Sequence, residues 1–185
     1  MKTPDEWYTY GQSNIPMGLF FIVTGIIYET FYIPTLSVML RPEFFRIPSY
    51  KMMFTVGIID ALTLIEICFM DGYDTITGGV FCTAPTRYYL FGVVSTFGWF
   101  TGTVIGILLA FNRCLEILAP NLADILFKGR RTWIWLALCL LYGSYALLFQ
   151  YPFLYHSKYM AVFNDPHFGD EFKENLLLVQ KSQSA

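Results

Sequence analysis

The chain has 185 residues, of which 55% are hydrophobic and 14% charged, with a formal net charge of −2. Its mean hydropathy is +0.48, and its charged content falls well short of the roughly 25% typical of soluble domains. A water-soluble globular domain is excluded as the expected class. A near-neutral charge balance also gives no reason to expect a nucleic-acid partner.

In chain order, the polar and acidic opening "MKTPDEWYTYGQSN" lacks the basic-then-apolar order of a cleavable signal peptide. Residues 1–14 are therefore expected as a short extracellular N-terminus, with Trp7, Tyr8 and Tyr10 in an interfacial aromatic belt. A membrane-crossing helix needs roughly 20 mostly apolar residues, and that length recurs at about 15–40, 50–70, 88–110 and 132–154. In the first span Pro16 suits an opening turn and Pro34 is expected to kink the last third. The third is rich in glycine, as closely packed membrane helices often are. The expected fold class is all-α, a polytopic membrane helix bundle whose four-span region covers residues 15–155.

Orientation follows from the loops. Arg41, Arg46 and Lys51 lie between the first two spans, and Arg113, Lys128, Arg130 and Arg131 between the third and fourth. Asp5, Glu6, Asp71 and Asp74 gather on the other side, beside only Lys2, Arg87 and Lys158. The positive-inside bias puts both basic loops in the cytoplasm, the N-terminus outside, and residues 156–185 outside as a partly disordered tail. The bilayer is the first partner this implies, and the plasma membrane the expected location.

Three carboxylates fall within the spans: Glu29, Asp60 and Glu66. An acid such as Asp at a helix centre costs about 2.5 to 3.5 kcal/mol on insertion scales. The spans hold no Lys or His at that depth, so the acids are protonated, or face a hydrated cavity, or find partners outside this chain. Glu66, near the outer edge, is read as bonding neighbouring groups. Asp60 has Gly57 one turn before it, which marks a packing site around a buried polar group.

The third span leads into "LLAFNRCLEILAP". Arg113 sits where this span meets the cytoplasm and can snorkel to the interface or bond acids on neighbouring helices. Asn112, Cys114 and Ile117 follow outward, and Pro120 is expected to end the helix. The four cysteines, Cys68, Cys82, Cys114 and Cys139, form no CxxC pair, and His156 and His167 have no ligand spacing around them. Neither a metal, a cofactor nor a catalytic constellation is expected, so the chain is not read as an enzyme.

The segment Asn112 to Pro120 resembles the Asp-Arg-Tyr-x-x-[Ile/Val]-x-x-Pro pattern closing the third helix of rhodopsin-like receptors, with Asn for Asp and Cys for Tyr. Val56 to Leu62 resembles the Leu-Ala-x-x-Asp-Leu-Leu pattern of their second helix, whose Asp lies in a hydrated, ion-binding core pocket. More specifically, "GIIYETFYIP", "SYKMMFTVGIIDAL", "GYDTITGGVFCTAP", "LLAFNRCLEI" and "LFKGRRTWIWL" look like the nematode serpentine chemoreceptors of class T, the Srt family, over roughly residues 25–170. The four spans then correspond to the first four of seven.

This resemblance implies a small extracellular ligand among the outer helix halves, with Asp60 and Glu29 as polar core groups. It also implies a heterotrimeric G protein read by Asn112, Arg113, Cys114, Ile117 and Pro120. Cys82 resembles the extracellular cysteine that such receptors bridge to the loop after the fourth span, where this chain has no cysteine. A chain ending soon after its fourth span is expected to be a truncated product, whose other reading is a four-span scaffold or a modulatory partner of full-length receptor chains. A tetraspanin-like scaffold needs paired extracellular cysteines, and a carrier an internal repeat; both rank lower.

Overall fold

The computed structural model describes residues 11–164. It is an all-α polytopic bundle of four helices long and apolar enough to cross a membrane, joined by short helices and closed at one end by a small β-hairpin.

Helix α1 spans Ile15–Met39. Asn14 caps it, its Oδ1 accepting the Met17 N–H at 3.1 Å, and Pro16 occupies the first turn, where its missing N–H costs nothing. The helix continues through Pro34. A short α2, Pro42–Phe45, leads to α3, Pro48–Leu64. A π-helical segment, Ile65–Met70, carries α3 on into α4, Asp71–Thr77. Together they form one 30-residue apolar rod from Pro48 to Thr77.

That rod is longer than the expected second span of 50–70 at both ends. Lys51, counted as a loop charge, lies inside α3, and Asp71 and Asp74 lie inside α4, all three buried. The helix stops at Gly78, whose φ of +76° a side-chain-bearing residue rarely adopts.

A single 3₁₀ turn, Phe81–Thr83, precedes α5, Pro85–Leu118. With 34 residues at about 1.5 Å each, α5 exceeds the roughly 30 Å hydrocarbon core, so it must tilt or project. The third span was expected over 88–110; the helix instead carries the whole Asn112–Leu118 stretch as regular helix. The helix ends at Leu118, as the proline predicts, because Pro120 disfavours helical backbone at the residue before it. Ala119 is non-helical, and Pro120 opens the next helix, α6, Pro120–Phe127, because proline is best tolerated in a first turn.

Helix α7 spans Arg131–Phe149, shorter than the expected 132–154. The chain then runs extended from Gln150 into an antiparallel hairpin of β1, Leu154–His156, and β2, Ala161–Phe163, in the register Tyr155 opposite Val162. The start of the region expected as a partly disordered tail thus forms part of a hairpin. The belt residues Trp7, Tyr8 and Tyr10, and the tail from 165 on, lie outside the described residues.

Helix α1 packs along α3 and α4, α3 along α5, and α7 along α5. The contact of α7 with α5 is backbone-close: a Cβ on Gly143 would stand 1.9 Å from Thr101 Oγ1, the small-residue packing that membrane helices use in place of a hydrophobic driving force. The core between them is Met52, Ile105, Phe127, Leu136 and Cys139. Outward faces are apolar and exposed, as with Phe31, Ile107, Leu141 and Leu148. That surface suits lipid.

Candidate functional site

Asp60 stands in the last turns of α3, near the middle of the Pro48–Thr77 rod, in the wall shared by two cavities. One, of about 350 Å³, opens between α1 and α3 against Tyr28, Tyr32, Leu36 and Met53. The other, of about 530 Å³, lies between α3 and α5 and reaches up to the hairpin; Thr63, Ser95, Trp99, Gly102, Phe153 and Val162 line it with Asp60. Among the described residues the Asp60 carboxylate accepts one hydrogen bond, from the Tyr32 hydroxyl, long at 3.4 Å. The acid is under-satisfied and faces open space.

Glu29 lies one turn before Tyr32 on α1 and lines neither cavity. Its Oε1 is buried with no hydrogen-bond partner among the described residues. The two acids paired in the sequence reading are therefore not gathered into one pocket. Glu66 is buried at the π-helical segment, where the Ser95 hydroxyl of α5 donates to its Oε2.

At the hairpin end, residues far apart in sequence lock together. Asp74 pairs with Arg87, whose guanidinium also lies 5.5 Å and 5.1 Å from the centroids of the Tyr73 and Tyr88 rings. Tyr155 and Thr75 hydroxyls meet at 2.6 Å, and the Phe153 N–H donates to Thr96 Oγ1 at 2.9 Å. Tyr88, Leu154 and Tyr155 form a buried cluster beneath the hairpin. These contacts hold the hairpin where the sequence resemblance would call for a disulfide to Cys82. Burial pushes the Tyr155 hydroxyl up to about 12, with Asp71 and Asp74 adding and the Thr75 hydrogen bond opposing. The hydroxyl stays protonated and the latch persists through neutral pH. In His156, burial and then Lys158 lower the imidazole from its ordinary 6.5. The Lys158 N–H donates to His156 Nδ1 at 3.3 Å, which suits the neutral ring.

The opposite end holds the Arg113 network. Arg113 Nη1 bonds Glu116 Oε2 at 3.0 Å. Glu116 Oε1 in turn accepts from Asn112 Nδ2 at 2.8 Å and from Ser49 Oγ at 3.0 Å, and Asn112 Nδ2 also donates to Ser49 Oγ at 2.7 Å. Asn112 is fully buried. One carboxylate therefore ties the arginine to the start of α3. Its signal was present in the sequence: Glu116 lies three residues after Arg113 and four after Asn112, spacings that meet on one helical face. Ser49 carried no comparable signal, because it comes from another helix.

Cys114 and Ile117 are exposed, and Pro120 begins α6 beside them. Lys51 Nζ donates to the Gly129 carbonyl at 3.2 Å, and Arg131 to the Ile125 carbonyl, so two of the basic residues fasten the α6–α7 turn. Among the described residues no group of three or more His, Cys, Asp or Glu side chains could hold a metal.

A family profile described as serpentine-type 7TM GPCR chemoreceptor Srt matches residues 2–181. The chain is also similar to serpentine receptor class T-55 of Caenorhabditis elegans, 24% identical over 172 residues, covering 92% of this chain and 47% of the relative. It spans about half the length of that relative. No solved structure matches.

Proposed function

The chain belongs to the Srt family of serpentine 7TM chemoreceptors, and from that premise we propose that it forms the ligand-sensing part of a chemosensory receptor in the plasma membrane. The four membrane helices correspond to the first four of the family's seven, with the N-terminus and the hairpin outside. A small molecule enters the cavity of about 530 Å³ beneath the hairpin, among the outer halves of α3 and α5. The observation that carries this reading is that cavity: a mostly apolar space with a few convergent polar groups, next to an under-satisfied acid, is the usual form of a small-molecule site.

On the cytoplasmic side Arg113, Cys114, Ile117 and Pro120 offer a surface to a heterotrimeric G protein. Asn112 stands behind them. Buried and bonded to Ser49 and Glu116, it positions Arg113 and does not touch the partner.

Topology and binding test this directly. In intact cells a membrane-impermeant maleimide should leave exposed Cys114 unlabelled until the membrane is permeabilised, as read by peptide mapping. Labelling without permeabilisation reverses the orientation and removes the reading. In nanodiscs, a small-molecule panel should contain compounds that raise the unfolding midpoint in proportion to ln(1 + [L]/Kd).

A second reading, a modulatory partner of full-length receptors, draws on Gly102 and Gly106 of α5. Apart from α5's own backbone, no atom of the described residues lies within 4 Å of where a Cβ would stand at either, so that face can accept another helix closely. Failure to co-purify with a full-length class T receptor would remove it.

A further inference from the structure

The cavity beneath the hairpin has a chemical bias that follows from its walls. Among the described residues Asp60 is its one charged lining group; the rest are the hydroxyls of Thr63, Ser95 and Thr103 and apolar or aromatic surface, including Trp99 and Phe153. No Lys, Arg or His among the described residues lines it. A carboxylate at this depth with a single long hydrogen bond is costly unless something shares its charge. An anionic guest would meet that carboxylate with no cation to offset it, whereas a protonated amine would supply the missing partner and could also lie against the Trp99 ring.

We propose, resting on the reading of this cavity as the ligand site, that it takes a compact apolar molecule bearing a protonated amine, with the ammonium on Asp60 and the hydrocarbon against Trp99, Phe153 and Val162. The size limit comes from the volume of about 530 Å³, and Phe153, just before β1, and Val162 of β2 close its upper wall. The sign of the guest's charge is set by Asp60.

The test is equilibrium binding to the full chain in nanodiscs, corrected against empty nanodiscs, with three probes of matched shape: cyclohexylmethylamine, cyclohexylmethanol and cyclohexanecarboxylate. The amine should bind about tenfold more tightly than the alcohol, as a charge-assisted hydrogen bond allows, and the carboxylate weakest of the three. Asp60→Asn should bring amine and alcohol within about twofold of each other. Gly102→Leu should weaken both, because its side chain grows into the cavity from a position where, apart from α5's own backbone, no atom of the described residues lies within 4 Å.

An amine that binds no better than the alcohol, or a preference that survives Asp60→Asn, overturns the proposed ligand class. If both probes still depend on Gly102, the cavity reading stands without it. Absence of any Gly102-sensitive binding overturns the cavity reading itself. Should Asp60→Asn fail to fold, the order of the three probes on the unmodified chain decides.

Discussion

The two ends of the bundle solve the same problem by different means. Each ties polar side chains together in an apolar setting, yet the Arg113 end does so mainly within one helix and the hairpin end across the whole chain. Asn112, Arg113 and Glu116 lie within five residues and, among the described residues, hydrogen-bond to α3 through Ser49. At the hairpin end, Asp74 meets Arg87, Thr75 meets Tyr155, and Thr96 meets Phe153. A local network survives motion of its neighbours, whereas a long-range one exists only when the helices have docked. The hairpin end should therefore be the more fragile under mutation, and the Arg113 end the more tolerant.

Removing Arg87 gives the sharpest break. Asp74 is 3% exposed, and stripping a buried acid of its partner costs about 3 kcal/mol, at the low end of the usual range because Arg87 is partly solvated. Arg87→Met should lower the unfolding midpoint markedly in detergent or nanodiscs, and Asp74→Asn in the same chain should restore most of the loss. No restoration would mean that the stacking on Tyr73 and Tyr88, and not the ion pair, holds Arg87's contribution.

Thr75→Val comes next. It keeps the volume but leaves the buried Tyr155 hydroxyl without its partner, at about 1 to 2 kcal/mol, and should show as faster proteolysis within the hairpin. Equal proteolysis rates would show that the Tyr88, Leu154 and Tyr155 cluster alone holds it.

A smaller effect comes from acid. Because the folded hairpin lowers the His156 pKa below 6.5, the unfolded state binds more protons in that window. The stabilising contribution is present above 6.5 and is lost as pH falls through the lowered value. Hydrogen exchange of the Lys158 amide, which donates to His156 Nδ1, should therefore be less protected at pH 5 than at pH 7.5, after correction for intrinsic rates, and His156→Gln should flatten that difference.

The least effect is expected from Glu116→Gln. Its pair with Arg113 is solvent-facing, with side chains 48% and 32% exposed, so stability should fall by only about 0.5 kcal/mol. Spin-label mobility at Cys114 should nevertheless rise as Arg113 is released. A loss as large as that of Arg87→Met would erase the contrast between the two ends.

Much of this was legible in residue order. Apolar runs marked the four long helices, and the spacing around Arg113 placed a motif that folds as one continuous helical face. Ends were harder to read. Asp71 and Asp74 look like loop acids because charge at a span boundary normally meets water, and nothing local announces that Arg87 and Ser95 will arrive from α5 to shelter this turn of the rod and Glu66 below it. Pro120 read as a stop, but a proline that closes one helix can equally open the next. Thr75, Thr96 and Tyr155 carried no signal as a latch, since hydroxyl residues are common in any membrane helix.

By itself, the amino-acid sequence determined the solvent of this protein, the number of its long helices and the kind of receptor it resembles, because hydropathy and helical spacing act over a few turns. Only the tertiary structure decided which acids are sheltered, what pins the hairpin, and that Asp60 faces a cavity while Glu29 does not. Those outcomes depend on which helix faces which, and pairings between residues tens of positions apart leave no periodic trace along the chain.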